Sequence, residues 1–114
     1  MSAYVNGALW QTTDVTASKQ VTTATELRIT GVDATGKNIT LGLFDYLGET
    51  GLYTINGTSN FAWYGTSPSV LSQAVYGQIN VTQISAGYIY GNFSFTTADS
   101  TRITNGSFTA ALPN

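Results

Sequence analysis

Gly77-Gln78-Ile79-Asn80-Val81-Thr82, Gly91-Asn92-Phe93-Ser94-Phe95-Thr96 and Gly106-Ser107-Phe108-Thr109 repeat one pattern, a glycine followed by apolar residues alternating with small polar ones. Alternation of period two places the apolar set of each segment on one face of a strand and the polar set on the other. The three segments begin 14 and 15 residues apart. That is the length of one strand plus one turn, so they read as successive strands of an antiparallel up-and-down meander. Gly51-Leu52-Tyr53-Thr54-Ile55 carries the same pattern upstream. A glycine that opens or interrupts a strand marks a bend or bulge. Four at equivalent places predict a sheet coiled enough to close, or nearly close, on itself.

Working outward, Glu26-Leu27-Arg28-Ile29-Thr30 alternates cleanly and points Leu27 and Ile29 inward. Asp33-Ala34-Thr35-Gly36-Lys37 is turn chemistry, with Gly36 free to take positive φ. The partner strand Asn38–Leu43 puts Ile39, Leu41 and Leu43 on one face. Ala3–Gln11 reads as a first strand with Val5 and Leu9 on one face, and Thr12–Thr25 as a polar stretch holding a short strand near Lys19–Thr22. Asn60–Gly65 is a strand or an aromatic-rich loop, and Ser67–Ala74, with Pro68 in its first turn, is the one stretch compatible with a helical turn. The sum is an all-β chain, a single domain over 1–114 with about eight antiparallel strands forming a barrel or strongly coiled sandwich.

Charged residues make up 9% of the chain, four basic (Lys19, Arg28, Lys37, Arg102) and six acidic (Asp14, Glu26, Asp33, Asp45, Glu49, Asp99). A typical globular domain carries about 25%. Solubility therefore rests on Thr, Ser, Asn, Gln and Gly, a composition frequent on secreted and surface-exposed β proteins. A net charge of −2 without a basic cluster excludes nucleic acid as a partner, because phosphate neutralisation needs several cations on one face. No apolar run approaches the ~20 residues a membrane-spanning helix needs. No leader pattern opens the sequence at Met1-Ser2-Ala3-Tyr4, so Met1 is either the native start or follows a removed leader. The expected location is extracellular, cell-surface or periplasmic.

Histidine and cysteine are both absent. With them go the commonest general base, the commonest metal ligands and every Ser-His-Asp or thiol nucleophile arrangement. Asp45 and Glu49 are the closest pair of carboxylates in sequence. They read as an exposed turn, whereas a catalytic acid needs burial to raise its pKa. A calcium site on Asp33, Asn38 or Asp45 would need more oxygen ligands than any one loop offers. The expectation is no enzyme, no cofactor and no metal. Five Asn-x-Ser/Thr sequons, at Asn38, Asn56, Asn80, Asn92 and Asn105, follow from asparagine in turns beside threonine in strands. Among the aromatics, Tyr53, Phe93, Phe95 and Phe108 fit the core by phase. Tyr46, Trp63, Tyr64, Tyr88 and Tyr90 are the candidates for a ligand or interface, since Trp and Tyr offer contact area at low entropic cost.

The order Asn6-Gly7-Ala8-Leu9-Trp10, Thr50-Gly51-Leu52-Tyr53-Thr54-Ile55, Gly77–Thr82, Gly91–Phe95 and Ile103-Thr104-Asn105-Gly106-Ser107-Phe108 spans the whole chain. It resembles a family of small secreted or lipoprotein-type β domains of unknown function, common in Bacteroidetes-type bacteria. The resemblance implies a lipocalin-like antiparallel barrel or sandwich. It implies no activity, so it transfers no functional residue. The chain departs from that family in its low charge and in lacking a lipoprotein leader cysteine.

Three functions fit these observations. The first is a non-catalytic exported or surface-associated module that binds a protein partner, with a glycan contact through exposed aromatics as a lesser expectation. The second is a self-assembling subunit of an extracellular fibre or particle coat, because edge strands without charges have lost the usual block to edge-to-edge pairing. The third is a lipocalin-like carrier of a small apolar ligand, which requires a hollow interior.

Overall fold

The computed structural model describes residues 1–21, 25–56 and 60–113, and no helix occurs among them. The described residues form ten strands: β1 (Ser2–Val5), β2 (Ala8–Gln11), β3 (Val15–Val21), β4 (Thr25–Val32), β5 (Asn38–Phe44), β6 (Gly51–Ile55), β7 (Phe61–Ser67), β8 (Val70–Ser85), β9 (Tyr88–Thr97) and β10 (Arg102–Ala111). They join in one sheet of order β2-β1-β10-β9-β8-β7-β5-β4-β3, with β6 beside β8, and neighbouring strands run antiparallel. The sheet is strongly curled, and β3 approaches β10 across the curl. An all-β half-barrel, consistent with a lipocalin-like barrel or a coiled sandwich, is therefore the architecture.

The sixteen-residue β8 joins the two halves of the curl. On one flank it pairs with β9 along most of its length. On the other flank, Val70–Gln73 pairs with β7 and Gly77–Val81 pairs with β6. One leaf is thus β2-β1-β10-β9-β8 with β6, and the other is β8-β7-β5-β4-β3. At the far side, Thr12–Asp14 carry the chain from one leaf to the other. Thr12 exchanges hydrogen bonds with Met1, donates its hydroxyl to the Val32 carbonyl at 2.6 Å, and Val32 N–H donates to the Asp14 carbonyl.

Two local expectations are corrected. Ala3–Gln11 is two strands joined by Asn6-Gly7, with φ of 49° and 86° at the two central residues. Asn-Gly is the preferred sequence for such a tight hairpin turn, because both positions need positive φ. The turn also shifts the phase: Ala3 and Trp10 face inward, while Leu9 is exposed. Ser67–Ala74 holds no helical turn; Pro68-Ser69 is a two-residue turn between β7 and β8, whose Ser67 and Val70 pair. The short strand near Lys19–Thr22 is the end of a longer one, β3, and its last residue lies outside the described residues.

The hairpin β4–β5 matches its sequence reading, with Gly36 at φ 90° in the turn. Leu27, Ile29, Ile39, Leu41 and Leu43 are fully buried. Each contributes about 1.5–3 kcal/mol of transfer free energy. They meet Ile79, Val81, Ile89, Phe93, Phe95, Ile103 and Phe108 from the other leaf in one cluster. These side chains occupy the interior, where a carrier would hold its ligand.

The strand glycines answer to rings rather than to bends alone. Gly91 pairs with Phe108 and Gly106 pairs with Phe93, so the Gly-x-Phe of β9 lies antiparallel to the Gly-x-Phe of β10. A Cβ on Gly91 would stand 2.6 Å from the Phe108 ring, and one on Gly106 2.4 Å from the Phe93 ring. Each glycine therefore makes room for the phenylalanine opposite it.

Candidate interaction surface

The outward face of the first leaf is built from the polar half of the alternation. Its cross-strand register lines up Leu52, Asn80, Asn92, Ser107, Ser2 and Gln11 in one row across six strands. Ser2 and Ser107 hydroxyls are 3.1 Å apart within it. Neighbouring rows are Gln83–Tyr90–Thr109, Ser85–Tyr88–Ala111 and Tyr76–Thr96–Arg102. The six strands β1, β2, β6, β8, β9 and β10 contain one charged residue between them, Arg102. Four of the seven tyrosines (Tyr4, Tyr76, Tyr88, Tyr90) lie on this face, and Tyr88 and Tyr90 hold their rings 6.5 Å apart. Tyrosines among hydroxyl and amide side chains form a surface of rigid amphipathic contacts and adaptable hydrogen-bonding groups, the combination binding loops use.

The outward face of the second leaf is organised differently. Phe61 and Trp63 project from one face of β7 and stack at 5.3 Å between ring centroids. Phe61 lies across Gly42 of β5, where a Cβ would stand 2.2 Å from the ring. The Arg28 guanidinium sits over both rings, 5.1 Å from Phe61 and 5.6 Å from Trp63, while its Nε donates to Glu26 at 2.6 Å. Ring and cation here satisfy one another and cover β5, whose residues Asn38–Leu43 are buried on both faces.

The five candidate aromatics separate accordingly. Tyr88 and Tyr90 share the charge-poor face of the first leaf, and Trp63 belongs to the cation-and-ring patch of the second. Tyr46 and Tyr64 are buried, 6% and 9% exposed. Burial raises the pKa of both hydroxyls, and Asp33 adds a smaller push at Tyr64. Tyr64 lines a cleft of about 350 Å³ with Trp10, Asp33 and Lys37. Trp10 is buried there with its indole N–H unpartnered.

Asp45 and Glu49 both lie exposed in the loop between β5 and β6. Asp33 Oδ1 accepts from Thr35 N–H, Thr35 Oγ1 and Lys37 N–H, which closes its turn and holds its carboxyl below the usual range. Asn38 Nδ2 donates to the Gly36 and Ser67 carbonyls, tying two turns together. These polar groups are thus engaged in building turns. Among the described residues, no three His, Cys, Asp or Glu side chains gather in a metal-binding group. None of the described helices is long and apolar enough to cross a membrane, there being no helix among them.

Sequence reasoning missed Phe61, Arg28 and Arg102 as surface features. For Phe61 a signal existed, the i, i+2 spacing with Trp63. For Arg28 and Arg102 the relevant neighbours come from strands distant in sequence.

A family model described as a domain of unknown function (DUF6252) matches residues 1–111. No curated protein and no solved structure matches the sequence.

Proposed function

The chain belongs to the DUF6252 family of domains of unknown function, and from that premise we propose that it is a non-catalytic protein-interaction module, docking through the outward face of the first leaf. The observation that carries this reading is the segregation of charge. Nine of the ten charged residues lie outside the six strands of that leaf, leaving a face of hydroxyls, amides and tyrosines with the exposed Leu9 and Leu52 among them. Depletion of charge with enrichment of tyrosine is the compositional mark of the buried core of an interface. The lack of His and Cys supports the non-catalytic part. Scarce charge and a hydroxyl-rich surface support an exported or surface-associated location.

A second reading, self-assembly, draws on the two free edges. β2 carries no charge and β3 carries Lys19 alone, so neither edge is strongly guarded against pairing with another copy. The packed interior argues against the carrier.

The test places a photo-crosslinking amino acid at Asn92, in the middle of the face, and at Thr35, in the β4–β5 turn, within the source cell. Specific crosslinks from position 92 to one other protein, absent from position 35, support the module. Crosslinks from 92 to the chain itself, with a native mass by light scattering that grows with concentration, support self-assembly instead. Equal labelling from both positions sinks the proposal.

A further inference from the structure

The one charge on the strands of the first leaf is Arg102. Arg102 opens β10, and its backbone is held on both sides by the β1–β2 turn: Asn6 N–H donates to the Arg102 carbonyl, and Arg102 N–H donates to Asn6 Oδ1, both at 2.8 Å. Its guanidinium makes no ion pair, hydrogen bond or ring contact among the described residues. Arg28, by contrast, is paired with Glu26 and lies on two rings. The acid nearest to Arg102 in sequence is Asp99, whose carboxylate is committed elsewhere. It accepts from the hydroxyls of Thr97, Thr101 and Ser72, and from Thr101 N–H.

Arg102 also sits in a groove. The row Tyr76–Thr96–Arg102 crosses β8, β9 and β10, and β-bulges lie at Ala74/Tyr76 on β8 and Ile103/Gly106 on β10. The groove has a volume of about 470 Å³ and is lined by Tyr76, Gln78, Ser94, Thr96, Arg102 and Thr104 among others. Tyr76 and Arg102 stand two ladder spacings apart, about 10 Å at the backbone. The exposed Tyr76 ring flanks one end, the guanidinium fork the other, and hydroxyl and amide groups lie between.

From this geometry we propose that Arg102 anchors an acidic side chain of the protein partner, so that the groove is a carboxylate-recognition site within the docking face. The inference rests on the protein-interaction reading. Covering the face removes water from the guanidinium, and a charge buried without a partner is strongly disfavoured, so the partner must bring the counter-charge. A planar guanidinium receives a carboxylate through two parallel N–H···O bonds, and the Thr96 and Ser94 hydroxyls line the same groove as further donors. The bland surroundings make this one pair decisive for register, since no other charge on the face competes with it.

The experiment titrates ¹⁵N-labelled protein with a hexaglutamate peptide, hexaglutamine and a trigalacturonate, at physiological salt to suppress unspecific attraction. Hexaglutamate is expected to shift the Arg102 side-chain signal and the amides of Gln78, Thr96 and Thr104, and hexaglutamine to shift none. Arg102→Gln weakens hexaglutamate binding about fivefold or more, and Arg102→Lys, which keeps the charge and loses the fork, falls between the two. Arg102 is exposed, so both variants retain the fold. Shifts spread alike over Lys19, Lys37 and Arg102 overturn the site. Binding of trigalacturonate without hexaglutamate overturns the protein partner in favour of an acidic glycan. Failure of hexaglutamate with crosslinking from position 92 intact removes the Arg102 anchor alone; loss of that crosslinking removes the underlying reading.

Discussion

Gly106 faces Phe93 across the β9–β10 ladder, and two residues along Gly91 faces Phe108, so each strand supplies the gap that the other strand's ring fills. Phe93 and Phe108 then meet at 6.2 Å between centroids in the core. The reciprocity predicts a specific coupling. Gly106→Ala forces a Cβ into the Phe93 ring and is expected to cost about 2 kcal/mol, in the range for overpacked cores. In a Phe93→Leu background the same change should cost markedly less. Urea unfolding of the four members of the cycle measures the coupling; equal costs in both backgrounds would show that the ring is not what the glycine serves.

The β9–β10 turn predicts the acid behaviour of the fold. The Asp99 carboxylate is held well below its ordinary pKa by donors from Thr97, Ser72 and Thr101. A carboxyl whose folded pKa is depressed stabilises the fold above its unfolded value, and that contribution is lost as pH falls through the folded one. Asp33 is shifted the same way by Thr35 and Lys37. Wild-type protein and Asp99→Asn should therefore differ in urea midpoint at about pH 6 and converge as pH falls below about 4. A gap that stays constant down to about pH 2.5 would remove the turn from the account.

Trp10 predicts an asymmetric mutational response. It is buried with an unpartnered indole N–H, a group that costs about 1–3 kcal/mol to leave unsatisfied. Trp10→Phe removes that donor while leaving a smaller ring, so loss of packing and relief of the orphan should nearly cancel, to within about 1 kcal/mol. Trp10→Ala removes the same donor but leaves a far larger cavity, and should lose about 3–5 kcal/mol. Thermal unfolding of both variants distinguishes this from a tryptophan valued for its N–H.

The patch on the second leaf is open to an optical test. In the Trp10→Phe protein the remaining indole is Trp63, packed against Phe61 and Arg28. Phe61→Ala should move its emission to the red and cost about 1–3 kcal/mol, since the ring also covers Gly42. Arg28→Met should cost about 1 kcal/mol, the sum of a half-exposed ion pair and two cation–π contacts. An emission maximum indifferent to both changes would mean that the stack does not persist in solution.

How far the sequence led depends on which residues did the specifying. The β4–β5 hairpin was readable because Leu27, Ile29, Ile39, Leu41 and Leu43 alternate without exception around one turn. The Gly-x-Phe repeat revealed the meander but not the reason for its glycines, because a ring crossing a neighbouring strand depends on register rather than on local pattern. Asn6-Gly7 was hidden by its shortness: two four-residue strands with a two-residue turn look like one longer strand. β3 escaped in part because an edge strand such as Val15–Val21, with mostly exposed side chains, has little hydrophobic periodicity to read. Of the site candidates, Tyr46 and Tyr64 were misplaced for a similar reason. A tyrosine is polar enough for water and large enough for the core, and only packing decides.

β1 pairs with β10, joining Ser2 to Ser107 and Asn6 to Arg102 across nearly the full length of the chain. This has a consequence for the timing of biosynthesis. While the ribosome is still adding the last strand, the β1–β2 hairpin has no ladder to join and the face proposed for docking does not exist. The nascent chain can form the local β4–β5 hairpin early, but the long-range closure waits until β10 has been made. Until β10 emerges, β1 and β2 have no third strand to complete their side of the curl, and their inward residues Ala3 and Trp10 stay in water.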